Sequence, residues 1–133
     1  MILFGKKDIG NLGERIAAKH LRKNGYRILA KNVQCGKNEL DIVAKNKECI
    51  AFVEVKTLTF ECREAVDRRP ARAVDVAKRR RTIEAARQYL HKHPSRLCPR
   101  LDVIEVYLDR SDKPKPFKIL HIPAAFDFKG QIH

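Results

Sequence analysis

The chain has 133 residues, with 29 Lys or Arg against 16 Asp or Glu, a formal net charge of +13. That length suits one domain over 1–133, because two would each be short of core. The longest unbroken apolar run, Cys49–Val53, has five residues against about 20 for a membrane span, and the N-terminus lacks the apolar core of a secretory signal. A soluble, cytoplasmic protein with no membrane role is expected, and the charge makes a polyanion the leading partner class.

Asp8 is placed to cap a first helix to about Asn24, with Ile9, Leu12, Ile16, Ala17 and Leu21 as one apolar stripe and Gly25 as a left-handed stop. Three strands follow over 26–31, 39–44 and 50–58, rich in β-branched and aromatic residues. A polar turn at Lys45–Glu48 joins the second and third. Residues 59–74 read as charged and irregular. Asp75 caps a second helix that Pro94 closes, with Val76, Ile83, Ala86 and Leu90 on its buried face. Strands over 101–108 and 117–122 complete the order α-β-β-β-α-β-β, an α/β fold with a mixed sheet flanked by helices. The four cysteines, at 35, 49, 62 and 98, form no Cys-x-x-Cys pair and no zinc set, so reduced thiols are expected.

Strands two and three carry the chemistry. Side chains alternate along a strand, so Glu39, Asp41 and Val43 share one face of the second, and Ile50, Phe52, Glu54 and Lys56 one face of the third. With Asn46-Lys47 as a two-residue loop, Asp41 pairs with Phe52 and Glu39 with Glu54, which makes Asp41 and Glu54 diagonal neighbours. Three carboxylates among apolar residues repel one another, and one lysine cannot neutralise them. A divalent cation could, and hard oxygen ligands suit Mg²⁺ or Mn²⁺. The plain alternative is a wet sheet face with a weak Glu54–Lys56 pair.

Asp41 followed thirteen residues later by Glu54-Val55-Lys56 resembles the PD-(D/E)XK nuclease core. The ordered set of Gly10–Ala18, Gly25-Tyr26, Lys31-Asn32, Asn38–Ala44, Phe52–Thr57, Lys78, Arg80, Arg100–Val103 and Ile122–Phe126 is similar to the small bacterial YraN family over nearly the whole chain. The resemblance implies a restriction-endonuclease-like fold, similar to archaeal Holliday-junction resolvases. It departs at Leu40, where the eponymous proline would stand, at Asn38, where glycine is usual, and at Leu58, where a basic residue is common.

The resemblance implies roles. Asp41 and Glu54 would ligate the metal with the Val55 carbonyl as an extra ligand, Glu14 would complete the set from the first helix, and Glu39 would ligate or brace. Lys56 would orient water or stabilise charge on the phosphate. Residues 61–100 hold 12 Lys or Arg and 5 Asp or Glu, and Lys78-Arg79-Arg80-Arg81 fills a helical turn with Arg87 further on. These five are the candidate nucleic-acid contacts, with a solvated helix face as the alternative. Lys78, in the first turn, is placed to reach the carboxylates. The reading is a Mg²⁺- or Mn²⁺-dependent nuclease or nuclease-like protein acting on DNA, possible substrates being branched or repair intermediates. The alternative is a nucleic-acid-binding module of the same fold, as a repair or ribosome-associated partner. DNA is favoured over RNA, although phosphate contacts carry no base information. Junction resolvases act as dimers, so a homodimer is an assembly the resemblance leaves open.

Overall fold

The structure, a computed structural model, describes residues 5–61 and 75–132. Helix α1 spans Lys6–Lys23, strands β1, β2 and β3 span Arg27–Cys35, Asn38–Lys45 and Cys49–Phe60, helix α2 spans Val76–Lys92, and strands β4 and β5 span Cys98–Asp109 and Pro116–Phe126. The expected element order holds. The first strand runs four residues further than its β-branched segment, carried to Cys35 by pairing with β2. The third continues through Thr59 and Phe60, because β4 pairs with it along its whole length. Of the stretch expected to be irregular, residues 62–74 lie outside the described residues, as does Cys62. Cys35, Cys49 and Cys98 are free thiols.

Both helix starts are built by aspartates, in different ways. Asp75 is the N-cap of α2 and accepts the Ala77 N–H at 2.9 Å. Asp8 lies inside α1, whose N-cap is Gly5, and reaches back to accept the Gly5 N–H at 3.2 Å. Gly25, at φ +88°, ends the α1 connection as expected. At that angle a side chain would be strained.

The sheet order is β1-β2-β3-β4-β5, antiparallel except for the β3–β4 pair, which the α2 crossover makes parallel. Helix α1 covers one face over Ile42, Ala44, Ala51, Val53, Ile104, Val106 and Leu108. Helix α2 covers the other over Val43, Ile50, Phe52, Leu101 and Val103. The buried residues of α2 are Ile83, Ala85 and Ala86. Val76, expected in the core, is 52 % exposed, because residues 75–77 all face solvent and the buried face of the helix begins only at Ile83. Tyr89 packs edge-on against Phe52, with ring centroids 5.8 Å apart.

One carboxylate is wholly interior. Asp102 accepts both the Nε and an Nη of Arg100 at 2.8 Å, a ring nitrogen of His121 at 2.7 Å and the Ala124 N–H at 3.0 Å. Burial by itself would raise its pKa, but these bonds outweigh it and hold the carboxyl below its usual range. The network spans the β4–β5 register shift after Leu101 and pins Ala124 at φ +50°.

Helix α1 lies close against β3 at Gly13. A Cβ there would stand 1.8 Å from Thr57 Oγ1 and 2.8 Å from Thr57 Cβ. Gly13→Ala should therefore destabilise the protein by about 1–3 kcal/mol, as overpacking does, despite alanine's better helix propensity. Thr57→Ala in the same chain should restore only part of the loss, since the Cβ contact remains. Urea melts of the single and double variants measure both effects.

Candidate functional site

The β2–β3 hairpin sets the site. Its two-residue loop is Lys47-Glu48, one position later than expected. Asn46 N–H bonds the Cys49 carbonyl at 3.0 Å, and Asn46 Oδ1 accepts the Glu48 and Cys49 N–H groups at 2.9 and 2.7 Å. Those side-chain bonds fix the turn on the asparagine. The ladder then pairs Lys45 with Ile50, Val43 with Phe52 and Ile42 with Val53. The shift is even, so the paired side chains from Ile42 to Lys45 keep their expected faces. Asp41 now comes one step past the last pair, across from Glu54 rather than diagonal to it.

At that step β2 leaves β3. Leu40 and Val43 both pack on the α2 side, whereas Ile42 packs on the α1 side. The strict alternation of β2 therefore slips at Asp41. On β1, Asn32 takes a left-handed φ of 51° at the corresponding place. A regular ladder would give the Val55 N–H to the Leu40 carbonyl. Instead Asp41 Oδ2 accepts it at 2.9 Å. A side-chain carboxylate thus stands where a backbone carbonyl would.

Glu54 is 4 % exposed. The Lys78 ammonium forms an ion pair with its Oε1, and its Oε2 is buried with no hydrogen-bond donor among the described residues. Asp41, Glu54, Glu39 and Lys78 line one small cavity on the α2 side. Asp41, Glu14, Val55 and Lys78 line a larger cleft on the α1 side. Burial, together with the charges of Glu14 and Glu54, pushes Asp41 up to about 6, against the Val55 hydrogen bond and Lys78. Burial raises Glu14 also, with the Asn32 amide offsetting part of the rise and Glu39 adding to it. Among the described residues no three His, Cys, Asp or Glu side chains are already drawn together as a chelating group.

The structure thus brings together Asp41, Glu54, Val55, Glu14 and Lys78, with Glu39 exposed at the rim. Lys56 lines neither cavity. It stands one pleat beyond Glu54, level with Glu105 on β4, a buried carboxylate that accepts the Tyr107 hydroxyl at 2.8 Å. The basic turn divides. Lys78 points to the site, Arg79 is half-buried, and Arg80 and Arg81 face solvent. Arg87 is exposed, with its guanidinium donating to the Phe128 carbonyl at 3.2 Å. Sequence reasoning missed Thr57 and Thr59 on the cleft floor and Lys6 at its mouth; the alternation of β3 could have supplied the threonines.

Residues 13–106 match the profile of the uncharacterised protein family UPF0102. The chain belongs to this family. It is the YraN family that the motifs resemble. The matched span contains Glu14, Glu39, Asp41, Glu54, Lys56 and Lys78. A UPF0102 protein of Caldanaerobacter subterraneus subsp. tengcongensis is 42 % identical over 122 residues, covering 91 % of this chain and 96 % of that protein. One from Syntrophotalea carbinolica is 40 % identical over 129 residues, 96 % and 98 % of the two chains. One from Porphyromonas gingivalis is 44 % identical over 119 residues, 90 % and 84 % of the two chains.

Two tests follow from the electrostatics of this UPF0102 site. The folded chain holds the Asp41 proton up to about 6, whereas the unfolded chain releases it near 3.8. Between those values the folded state binds more protons, so stability falls as pH rises, by up to roughly 3 kcal/mol. Thermal melts in metal-free buffer should show that decline from about pH 4 to 7. Asp41→Asn, whose amide oxygen can still accept the Val55 N–H, should remove most of it, with Glu14 supplying the remainder; an unchanged slope would reject the assignment.

Lys78→Met should cost about 1–3 kcal/mol without metal, because a buried carboxylate loses its partner. Lys78 is itself 44 % exposed, so the loss should stay below the 3–5 kcal/mol typical of a fully buried pair. In a Glu54→Gln background the same change should be nearly neutral, a coupling that a double-mutant cycle measures.

Proposed function

We propose that this protein is a divalent-metal-dependent phosphodiesterase acting on nucleic acid, with DNA as the favoured substrate. One observation carries the reading. Asp41 and Glu54 meet where β2 and β3 part, and the inner oxygen of Glu54 is buried without a donor among the described residues. An unspent carboxylate lone pair in that position suits a cation. Together with the order Asp41, Glu54-Val55-Lys56, the arrangement supports membership of the PD-(D/E)XK superfamily.

Asp41 and Glu54 would hold Mg²⁺ or Mn²⁺, with the Val55 carbonyl and Glu14 available from the adjoining cleft. When bound, such an ion polarises a phosphoryl oxygen and lowers the pKa of its water. The protein's own groups do the rest. Asp41 must be ionised to serve, so its elevated pKa of about 6 makes the site most competent above that pH. Lys78 neutralises Glu54 in the free protein, and its half-exposed ammonium stands ready to turn to a phosphate oxygen. In this reading Lys78 takes up the charge stabilisation first expected of Lys56. Arg80 and Arg81 would hold the phosphate backbone from the solvent side of α2.

A second reading rests on the same ion pair. Lys78 can satisfy Glu54 permanently, which leaves a nucleic-acid-binding module of this fold with no hydrolysis. Incubation with single-stranded, duplex and branched DNA in Mg²⁺ or Mn²⁺ separates the two. Cleavage should fall at least about a hundredfold in Asp41→Asn and Glu54→Gln, while binding persists. Saturating metal should stabilise the wild type, by about 2.7 kcal/mol at a hundredfold excess over Kd, and leave both variants unmoved. Replacing Arg80 and Arg81 by Ala should reduce the slope of log K against log salt on duplex by about 1.8. Binding without cleavage or metal-dependent stabilisation would establish the second reading instead.

A further inference from the structure

The cleft on the α1 side extends well beyond the carboxylates. Its floor is the face of β3 that carries Val55, Thr57 and Thr59, and its mouth is flanked by Lys6. Alternate residues of a strand stand about 6.7 Å apart, so the floor runs roughly 13 Å outward from Val55 to Thr59. Helix α1 forms the far wall. It touches the floor at Gly13, against Thr57. One turn earlier, at Gly10, a Cβ would meet nothing within 4 Å. The wall therefore draws back towards its N-terminus, and the groove opens there.

Three groups along this groove have no polar partner among the described residues. The Thr57 and Thr59 hydroxyls make no hydrogen bond with any described residue, and Lys6 makes no ion pair with one. Asp41 and Glu14 share the inner end with Lys78, and Lys6 stands about two helical turns before Glu14, at the start of α1. Two hydroxyl donors one pleat apart and a cation beyond them match a sugar-phosphate chain laid along the floor. The shape decides what kind of chain. The floor is one strand wide, because β2 has parted from β3 beyond Val53 and helix α1 walls the other side. It offers a track for one sugar-phosphate chain, and a second backbone would find no seat on it.

We propose that this groove seats a single nucleic-acid strand next to the reacting phosphodiester, with Thr57, Thr59 and Lys6 holding its successive phosphates. The inference rests on the phosphodiesterase reading for its inner end and narrows the substrate class. Nucleic acids with a single-stranded tail, flap or unpaired branch arm should be preferred over continuous duplex. The exposed basic turn of α2 would hold any paired portion.

Binding is read by fluorescence anisotropy of the full-length protein with a labelled 12-nucleotide single strand, a blunt duplex, and the same duplex carrying a single-stranded tail, all in EDTA. Gly10→Phe fills the opening without touching a hydroxyl or a charge, and should weaken single-strand and tail binding more than tenfold. Thr59→Val removes one hydroxyl at constant shape and should weaken both about threefold. Lys6→Ala should flatten the single-strand salt slope by about 0.7. Blunt-duplex affinity should be unmoved by all three and reduced by Arg80→Ala with Arg81→Ala. Thermal melts confirm that Gly10→Phe is folded; if it is not, Thr59→Val and Lys6→Ala carry the test. Unchanged single-strand affinity in the folded cleft variants overturns the strand seat, whatever the cleavage assay shows. Selective loss of single-strand binding, in a protein that cleaves nothing in Mn²⁺, upholds the seat and removes only the phosphodiesterase reading.

Discussion

The site depends on one hydrogen bond, from the Val55 N–H to the carboxylate of Asp41. An antiparallel ladder that ends inside a protein leaves backbone groups to be satisfied. Here a side chain ends it. Asp41 takes the donor that a further residue of β2 would have used, so the strands can part without an orphaned N–H. The same bond draws a carboxylate out of solvent to within electrostatic reach of Glu14 and Glu54, which raises its pKa. Opening the sheet and assembling the acidic site are therefore one event.

Around that point the two helices act differently. Helix α1 brings Glu14 to the acidic group and, through the Gly13–Thr57 contact, fixes how close the helix can lie to β3. Helix α2 supplies Lys78, the cation on Glu54. Two cores, one on each sheet face, hold these elements in register. At the far end of β4 the Asp102 network performs a comparable task without exposure. Its carboxylate takes the Ala124 N–H across the register shift and is balanced by Arg100 and His121. A chain with a net charge of +13 thus keeps two aspartates of its sheet in contrasting states, Asp102 held below the usual range and Asp41 raised to about 6. Partnering explains the difference. Asp102 has a guanidinium, an imidazole and a backbone donor, whereas Asp41 has one backbone donor and the weaker pull of Lys78 against burial and two neighbouring carboxylates.

Much of this was legible in the residue order. Periodicity gave both helices and all five strands in sequence, since 3.6- and 2-residue repeats follow from local geometry. Asp75 and Gly25 marked boundaries because capping and positive φ are local demands. Asp41 and Glu54 could be placed on one face because a hairpin shift by an even number of residues preserves faces. Val76 was misjudged because amphipathic spacing cannot show which turns of a helix the sheet covers, and here burial begins only at Ile83.

By itself the sequence determined the order of elements, the sign of the net charge and the ionisable residues on offer for a site, all properties of short stretches of chain. Only the tertiary structure decided which of them meet. The Asn46 side chain moved the turn by one residue and set Asp41 across from Glu54. The α2 crossover swung Lys78 onto Glu54 and left Lys56 level with Glu105. Two threonines became a groove floor because glycines at 10 and 13 let a helix lie against one and draw away from the other. Each outcome depends on contacts between residues far apart in the chain, and neither the period of a strand nor the composition of a helix encodes them.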